Sequence, residues 1–371
     1  MNRKLLIVIL IVIILIILIV VFSLQKPKED VIKIGFILPL SGNAAIFGEV
    51  ERTVTDIAVG EINSTGGING KKIQVIYEDG GCNQKDAVSA VQKLLLDPDI
   101  KIIMPLCSAE TLAVAPITQE KKILTFVAWA NHPDISNTGS YIFRNAVSDE
   151  LTGELLASTI REDYDKVGII YEQTDYSVGL KNVFKQKFEE LGGEVIEEGF
   201  LQDAKDMRTQ ITKLISENID VIFVDPNTSI AGSIILKQLK EQGYNGEIYV
   251  NFIGSNPEIQ KMPEVEGAIF YSDPYIPDNK IKKYVLEKYK EKTGKPPAFE
   301  YPALSRYDVL YVLKQAIENV GGDSTAIRDY LLSHSFTGAL GEFYYDENGD
   351  VVGLKPSLYQ IKNEKAILYE K

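Results

Sequence analysis

The chain of 371 residues is poor in side chains that do covalent or metal chemistry. It has two histidines, His132 and His334, and two cysteines, Cys82 and Cys107. That scarcity removes multi-ligand zinc sites, Cys–His nucleophilic pairs and disulfide-dense mini-domains. Neither a P-loop, a G-x-G-x-x-G turn nor an H-E-x-x-H helix occurs. What remains is chemistry of the binding kind. At Cys107-Ser108-Ala109-Glu110 an apolar strand ends at Leu106 and a helix begins within three residues. Ser108 then stands as an N-cap beside the positive end of a helix dipole, a corner that takes a carboxylate or another anion. On the residues alone, simple capping explains Ser108 equally well. Trp129, the only tryptophan, follows another apolar strand and either walls a pocket or fills the core.

Charge narrows the partners. Lys plus Arg number 39 against 52 Asp plus Glu, a formal net charge of −13. No basic field exists to attract nucleic acid. The lysines from Lys280 to Lys295 alternate with Tyr284, Leu286 and Tyr289, which makes them one solvated helix face. Asp346-Glu347-Asn348-Gly349-Asp350 lacks the bidentate Glu of a calcium loop and reads as a hairpin turn.

The elements that position these residues begin with an unbroken apolar run over 5–22, preceded by Arg3 and Lys4. Its length nearly spans a hydrocarbon core of about 30 Å. The expectation is an uncleaved N-terminal transmembrane anchor over 1–24, with the basic pair inside and all that follows 25 outside. A cleaved signal peptide is the rival reading, but the flank Ser23-Leu24-Gln25 offers little of a cleavage site. After a linker over 25–30, β-rich runs alternate with amphipathic helical periods. Ile46, Val50, Val54, Ile57 and Ile62 mark the first helical face. Two such blocks, the second starting near Asp149, make α/β architecture with two doubly wound parallel sheets. Ligands of such sheets bind outside the carboxyl ends of the strands.

An ordered set of fragments then becomes recognisable. Ile34-Gly35-Phe36, Leu40-Ser41-Gly42, Phe47-Gly48, Gly66-Gly67-Ile68-Asn69-Gly70-Lys71, Cys107-Ser108 and Asp175-Tyr176-Ser177-Val178-Gly179 fall in sequence. Together they resemble the leucine/isoleucine/valine-binding family of solute-binding proteins that serve ABC importers. The resemblance runs through Phe336-Thr337-Gly338 and covers essentially all of residues 31–371. It implies a periplasmic binding protein type 1 fold: two Rossmann-like lobes with three hinge crossings, closing on a ligand. Lobe I is expected over 31–148 plus 275–336 and lobe II over 149–274 plus 337–371. The hinges are expected near 147–149, 272–275 and 336–338.

The resemblance also implies a site. Ser108 takes the position of a ligand-carboxylate contact, Trp129 a backbone contact and Asn131 a hydroxyl contact. Phe47 and Tyr176 take the positions of aromatics facing each other across the cleft. Asp149 stands where related receptors hold the ligand ammonium, although it also suits a helix N-cap. Cys82 and Cys107 take the family's disulfide positions, and the external compartment lets such a bond persist. Tyr271, Ser272, Asp273 and Tyr275 are expected in a hinge, and His132 in a solvated loop. Phe299 and Tyr301 are candidates for the first-lobe wall. The glutamate that amino-acid binders place after the fourth strand of the second lobe is missing, since the chain there reads Asn251-Phe252-Ile253-Gly254. The implied function is an extracytoplasmic, membrane-tethered receptor for an amino acid or a related carboxylate or amide, working without cofactor, metal or catalysis. Its implied partners are ABC permease and ATPase subunits. A ligand sensor signalling through another membrane protein is the alternative.

Overall fold

The computed structural model describes residues 30–369. The apolar run over 5–22, read above as a membrane anchor, lies outside them. Among the described residues, no helix is long and apolar enough to cross a membrane.

The first sheet contains β1 (Val31–Leu38), β2 (Lys72–Asp79), β3 (Ile102–Pro105), β4 (Leu124–Val127) and β5 (Ile142–Arg144), in the order β2-β1-β3-β4-β5. Its register sets Ile34 opposite Ile102, Ile102 opposite Leu124 and Thr125 opposite Ile142, all in parallel pairs. Every residue of β3 and β4 is buried. Both faces are covered, so these strands read as continuous apolar runs rather than alternations. The helices of this part are α1 (Ala45–Ser64), α2 (Gln84–Leu94) and α3 (Ser108–Glu120). Phe47, not Ile46, joins Val50 and Val54 on the buried face of α1, and Ile46 stays exposed.

The second sheet begins with β6 (Lys166–Glu172), β7 (Glu194–Phe200), β8 (Val221–Asp225), β9 (Glu247–Val250) and β10 (Ile269–Ser272). These strands run parallel, in the order β10-β9-β8-β6-β7. Its helices are α4 (Asp149–Arg161), α5 (Asp175–Glu190), α6 (Arg208–Ser216), α7 (Ser229–Glu241) and the single turn α8 (Pro257–Gln260). Side-chain caps set where they start. Ser148 accepts from Glu150 N–H, Thr174 from Ser177 N–H and Thr228 from Ala231 N–H. The cap of α4 is thus Ser148, and Asp149, offered above as a cap, is the first helical residue.

The chain then returns to the first sheet. Helix α9 (Lys280–Thr293) and helix α10 (Glu300–Val320) pack on α1, followed by α11 (Ser324–Ser333). Strands β11 (Ser335–Gly338), β12 (Gly341–Tyr345) and β13 (Val351–Val352) form a small antiparallel sheet. Residues 346–350 are its second turn, in which Asp346 Oδ1 accepts from the N–H groups of Asn348 and Asp350. Although expected with the second lobe, this sheet packs on the first. Tyr345 lies 5.6 Å from Phe126 and 5.5 Å from Phe143, ring to ring, and Arg144 pairs with Asp350. Burying that aromatic face moves the third crossing from 336–338 to 353–356. Beyond it, β14 (Ser357–Lys362) pairs antiparallel with β10, and β15 (Lys365–Leu368) with β14.

Candidate functional site

The carboxyl ends of both sheets and the helix starts that follow them enclose a cavity of about 50 Å³. From the first side come Phe47 of α1, Ser108 and Ala109 of α3, and residues 129–131 after β4. From the second side come Thr174, Asp175 and Tyr176 at the start of α5, Asn227, Phe252 after β9, and Tyr271 and Asp273 at the end of β10. An apolar cavity of about 150 Å³ admits benzene. The space here is smaller, so its walls must part to admit a solute of that size.

One corner is built around α3. Cys107 and Cys82 form a disulfide with Cα atoms 5.3 Å apart, and both cysteines line the cavity. Cys107, rather than Ser108, occupies the N-cap position, and Ser108 is the first helical residue. The Glu110 carboxylate accepts from the N–H groups of Leu106, Cys107 and Cys82 at 3.1, 3.0 and 3.1 Å. Burial pushes Glu110 up to about 7, against the pull of those hydrogen bonds. Ser108 Oγ accepts from His132 N–H at 3.4 Å. The positive end of the α3 dipole therefore faces the cavity with a hydroxyl beside it.

An aromatic wall joins the two sides. Trp129 meets Phe252 at 5.1 Å and Phe47 at 5.4 Å, both edge to face. Tyr176 meets Phe252 at 5.4 Å. Phe299 backs Phe47 at 5.3 Å without lining the cavity. Tyr301 is turned away and donates to the Asn145 carbonyl.

The third region is acidic. Trp129 Nε1 donates to both oxygens of Asp273, at 3.1 and 3.3 Å. Burial pushes Asp273 up to about 7, opposed by that hydrogen bond. Asp225 accepts from Asn251 Nδ2 at 2.7 Å, and the Tyr176 and Tyr271 hydroxyls share a hydrogen bond. Asp149 is completely buried, and neither carboxylate oxygen has a hydrogen-bond partner among the described residues. Desolvation holds it well above the usual carboxylate range, while Arg144 pulls it down and Asp273 pushes it up.

Phe47, Ser108, Trp129, Asn131 and Tyr176 thus converge on one cavity, whereas Asp149 lies behind its wall. Asn131 lines the space, but its side-chain amide is committed to the Val147 carbonyl at 2.8 Å, bracing the first crossing. His132 is largely covered rather than freely solvated: its ring packs on Gly179 of α5, and Nδ1 accepts from Asp134 N–H at 3.1 Å. Tyr271 and Asp273, expected only as hinge, are lining residues, and Phe252 and Asn227 join them. Their place just past β10, β9 and β8 is the signal that could have found them, since that is where parallel sheets bind ligands.

The sequence profile of the family described as periplasmic binding protein matches residues 31–365. A leucine-, isoleucine-, valine-, threonine- and alanine-binding protein of Pseudomonas aeruginosa is 25% identical over 347 residues, 91% of this chain and 92% of the relative. The Leu/Ile/Val-binding protein of Escherichia coli K12 is 27% identical over 343 residues, 90% of this chain and 91% of the relative. The crystal structure of a leucine-binding protein from Thermotoga maritima superposes with a TM-score of 0.81 at 28% identity, covering 92% of this chain and 98% of that one.

Proposed function

This chain belongs to the periplasmic binding protein family, and from that premise we propose that it is the extracytoplasmic receptor of an ABC importer for an amino acid or a related carboxylate or amide. The observation that carries this reading is the cavity itself. It sets the start of α3 and Ser108 against an aromatic wall drawn from both sheets. A small solute with a carboxylate at one end and apolar groups beyond it fits such a surface. The names of the Pseudomonas aeruginosa and Escherichia coli relatives, both amino-acid binders, support the same solute class. In this reading the run over 5–22 tethers the receptor to the membrane, so the captured solute stays near the permease.

The test is Ser108→Ala, with calorimetric titration of the solute that most raises the melting temperature in a screen of amino acids, amides and aromatic acids. Loss of a hydrogen bond to a charged group should weaken a carboxylate solute by about 1–3 kcal/mol. Cys107 occupies the cap position, so unliganded stability should stay nearly unchanged. Equal affinity in mutant and wild type would remove Ser108 from the site.

A further inference from the structure

Gln84 Nε2 of α2 donates to Asp175 Oδ1 of α5 at 2.9 Å, and so joins the first side to the second outside the aromatic wall. We infer that this pair is a latch that sets how long a bound solute is held, whichever solute it is. The inference rests on the receptor reading above and adds a residue that controls release without touching the solute.

The backbone at both ends of the latch is fixed by its own element. Gln84 is the first residue of α2, whose N-cap Asn83 accepts from Asp86 N–H at 3.0 Å. Cys82, two positions earlier, is tied to Cys107 by the disulfide, and its N–H donates to the Glu110 carboxylate at 3.1 Å. Asp175 is the first residue of α5 and follows the capping Thr174. Neither backbone needs ordering when the bond forms, so little of its energy is lost to entropy.

The bond also lies where release must pass. Asp175 lines the cavity, whereas Gln84 is exposed and does not. The pair therefore stands on the rim, between the enclosed space and solvent, and must separate before the walls part. His132 gives an independent sign that Asp175 faces the first side. Burial lowers the His132 pKa, and the negative charges of Asp134 and Asp175 pull it back up. Asn43 Nδ2 also reaches across to Asp203 Oδ1, but at 3.4 Å, near the limit of a hydrogen bond. A contact made only while the two sides meet favours the closed arrangement equally for every solute.

The experiment follows release of preloaded, radiolabelled L-leucine, L-alanine and benzoate from the detergent-extracted full chain, chased with excess unlabelled solute. Gln84→Ala should release each bound solute roughly 3- to 10-fold faster than wild type. Gln84→Glu sets two carboxylates against each other, so it should release faster still at low salt and fall back toward Gln84→Ala at high salt. Gln84→Lys can pair with Asp175 and should release no faster than wild type. A merely structural role gives the reverse order, because in the first turn of α2 the helix dipole favours Glu and disfavours Lys. Equal release from wild type, Gln84→Ala and Gln84→Glu, or a change seen with one bound solute and not another, overturns the latch and leaves the receptor reading standing. Release from Gln84→Lys as fast as from Gln84→Glu does the same. Binding of none of the three solutes overturns the receptor reading and the latch with it.

Discussion

Replacing Arg306 with methionine is expected to destabilise the protein by about 3–5 kcal/mol, the usual cost of leaving one partner of a buried ion pair uncompensated. Arg306 of α10 pairs with Glu51 of α1, and their side chains are 0% and 1% exposed. The guanidinium also donates to Met104 Sδ at 2.9 Å and sits 5.0 Å from the centre of the Phe36 ring. Burial raises the Glu51 pKa, and the Arg306 charge counters it. This cluster fastens the returning segment, α10, onto the first helix and strand of the first sheet. Urea unfolding of Arg306→Met should show the loss, and Glu51→Leu/Arg306→Met should recover much of it, because apolar replacement of a whole pair is often neutral. A single mutant within about 1 kcal/mol of wild type would mean that the pair does not hold α10 in place.

The second large effect concerns closure. Gly179 lies on α5 of the second sheet, and a Cβ there would stand 2.4 Å from His132 Cδ2 on the first side. His132 cannot easily yield, because its ring accepts from Asp134 N–H and its carbonyl accepts from Arg144 at 2.9 Å. Gly179→Val therefore overpacks only the arrangement in which the two sides meet. A clash of that kind costs about 1–3 kcal/mol. A solute gains from the closed state only through its preference for it, so affinity should drop roughly 5- to 150-fold. Gly179→Val/His132→Ala should restore much of the loss, a coupling that independent sites would not show. Undiminished affinity in the single mutant would mean that His132 and Gly179 need not meet for binding.

The inner parallel strands were legible in the sequence because short, β-branched apolar runs bounded by turn signals, alternating with helical periods, fit a sheet covered on both faces. The cavity was legible wherever a residue followed such a strand directly, as Ser108 follows β3 and Trp129 follows β4. Other features depend on contacts between distant segments and leave no local trace. Placement of β12 and β13 on the first sheet turns on Tyr345 meeting Phe126 and Phe143, residues about 200 positions away. Ser108 reads as a cap because serine is a common one, yet the cap lies one residue earlier, at Cys107, which the disulfide to Cys82 fixes, and Ser108 is the first helical residue. Asp273 was mistaken for pure hinge because only the folded chain brings the Trp129 indole to its carboxylate. Asp149 was placed in the cleft by resemblance, and the fold sets it one layer back.

Trp129 offers the most direct test of the central claim, that a small solute is enclosed between these two walls. It is the only tryptophan in the chain, it lines the cavity, and its indole N–H is held by Asp273. Titrating the full chain with the best-binding amino acid should shift its emission saturably, with a midpoint matching the calorimetric one. Saturable binding heat with an unmoved Trp129 spectrum would place the solute elsewhere and contradict the account.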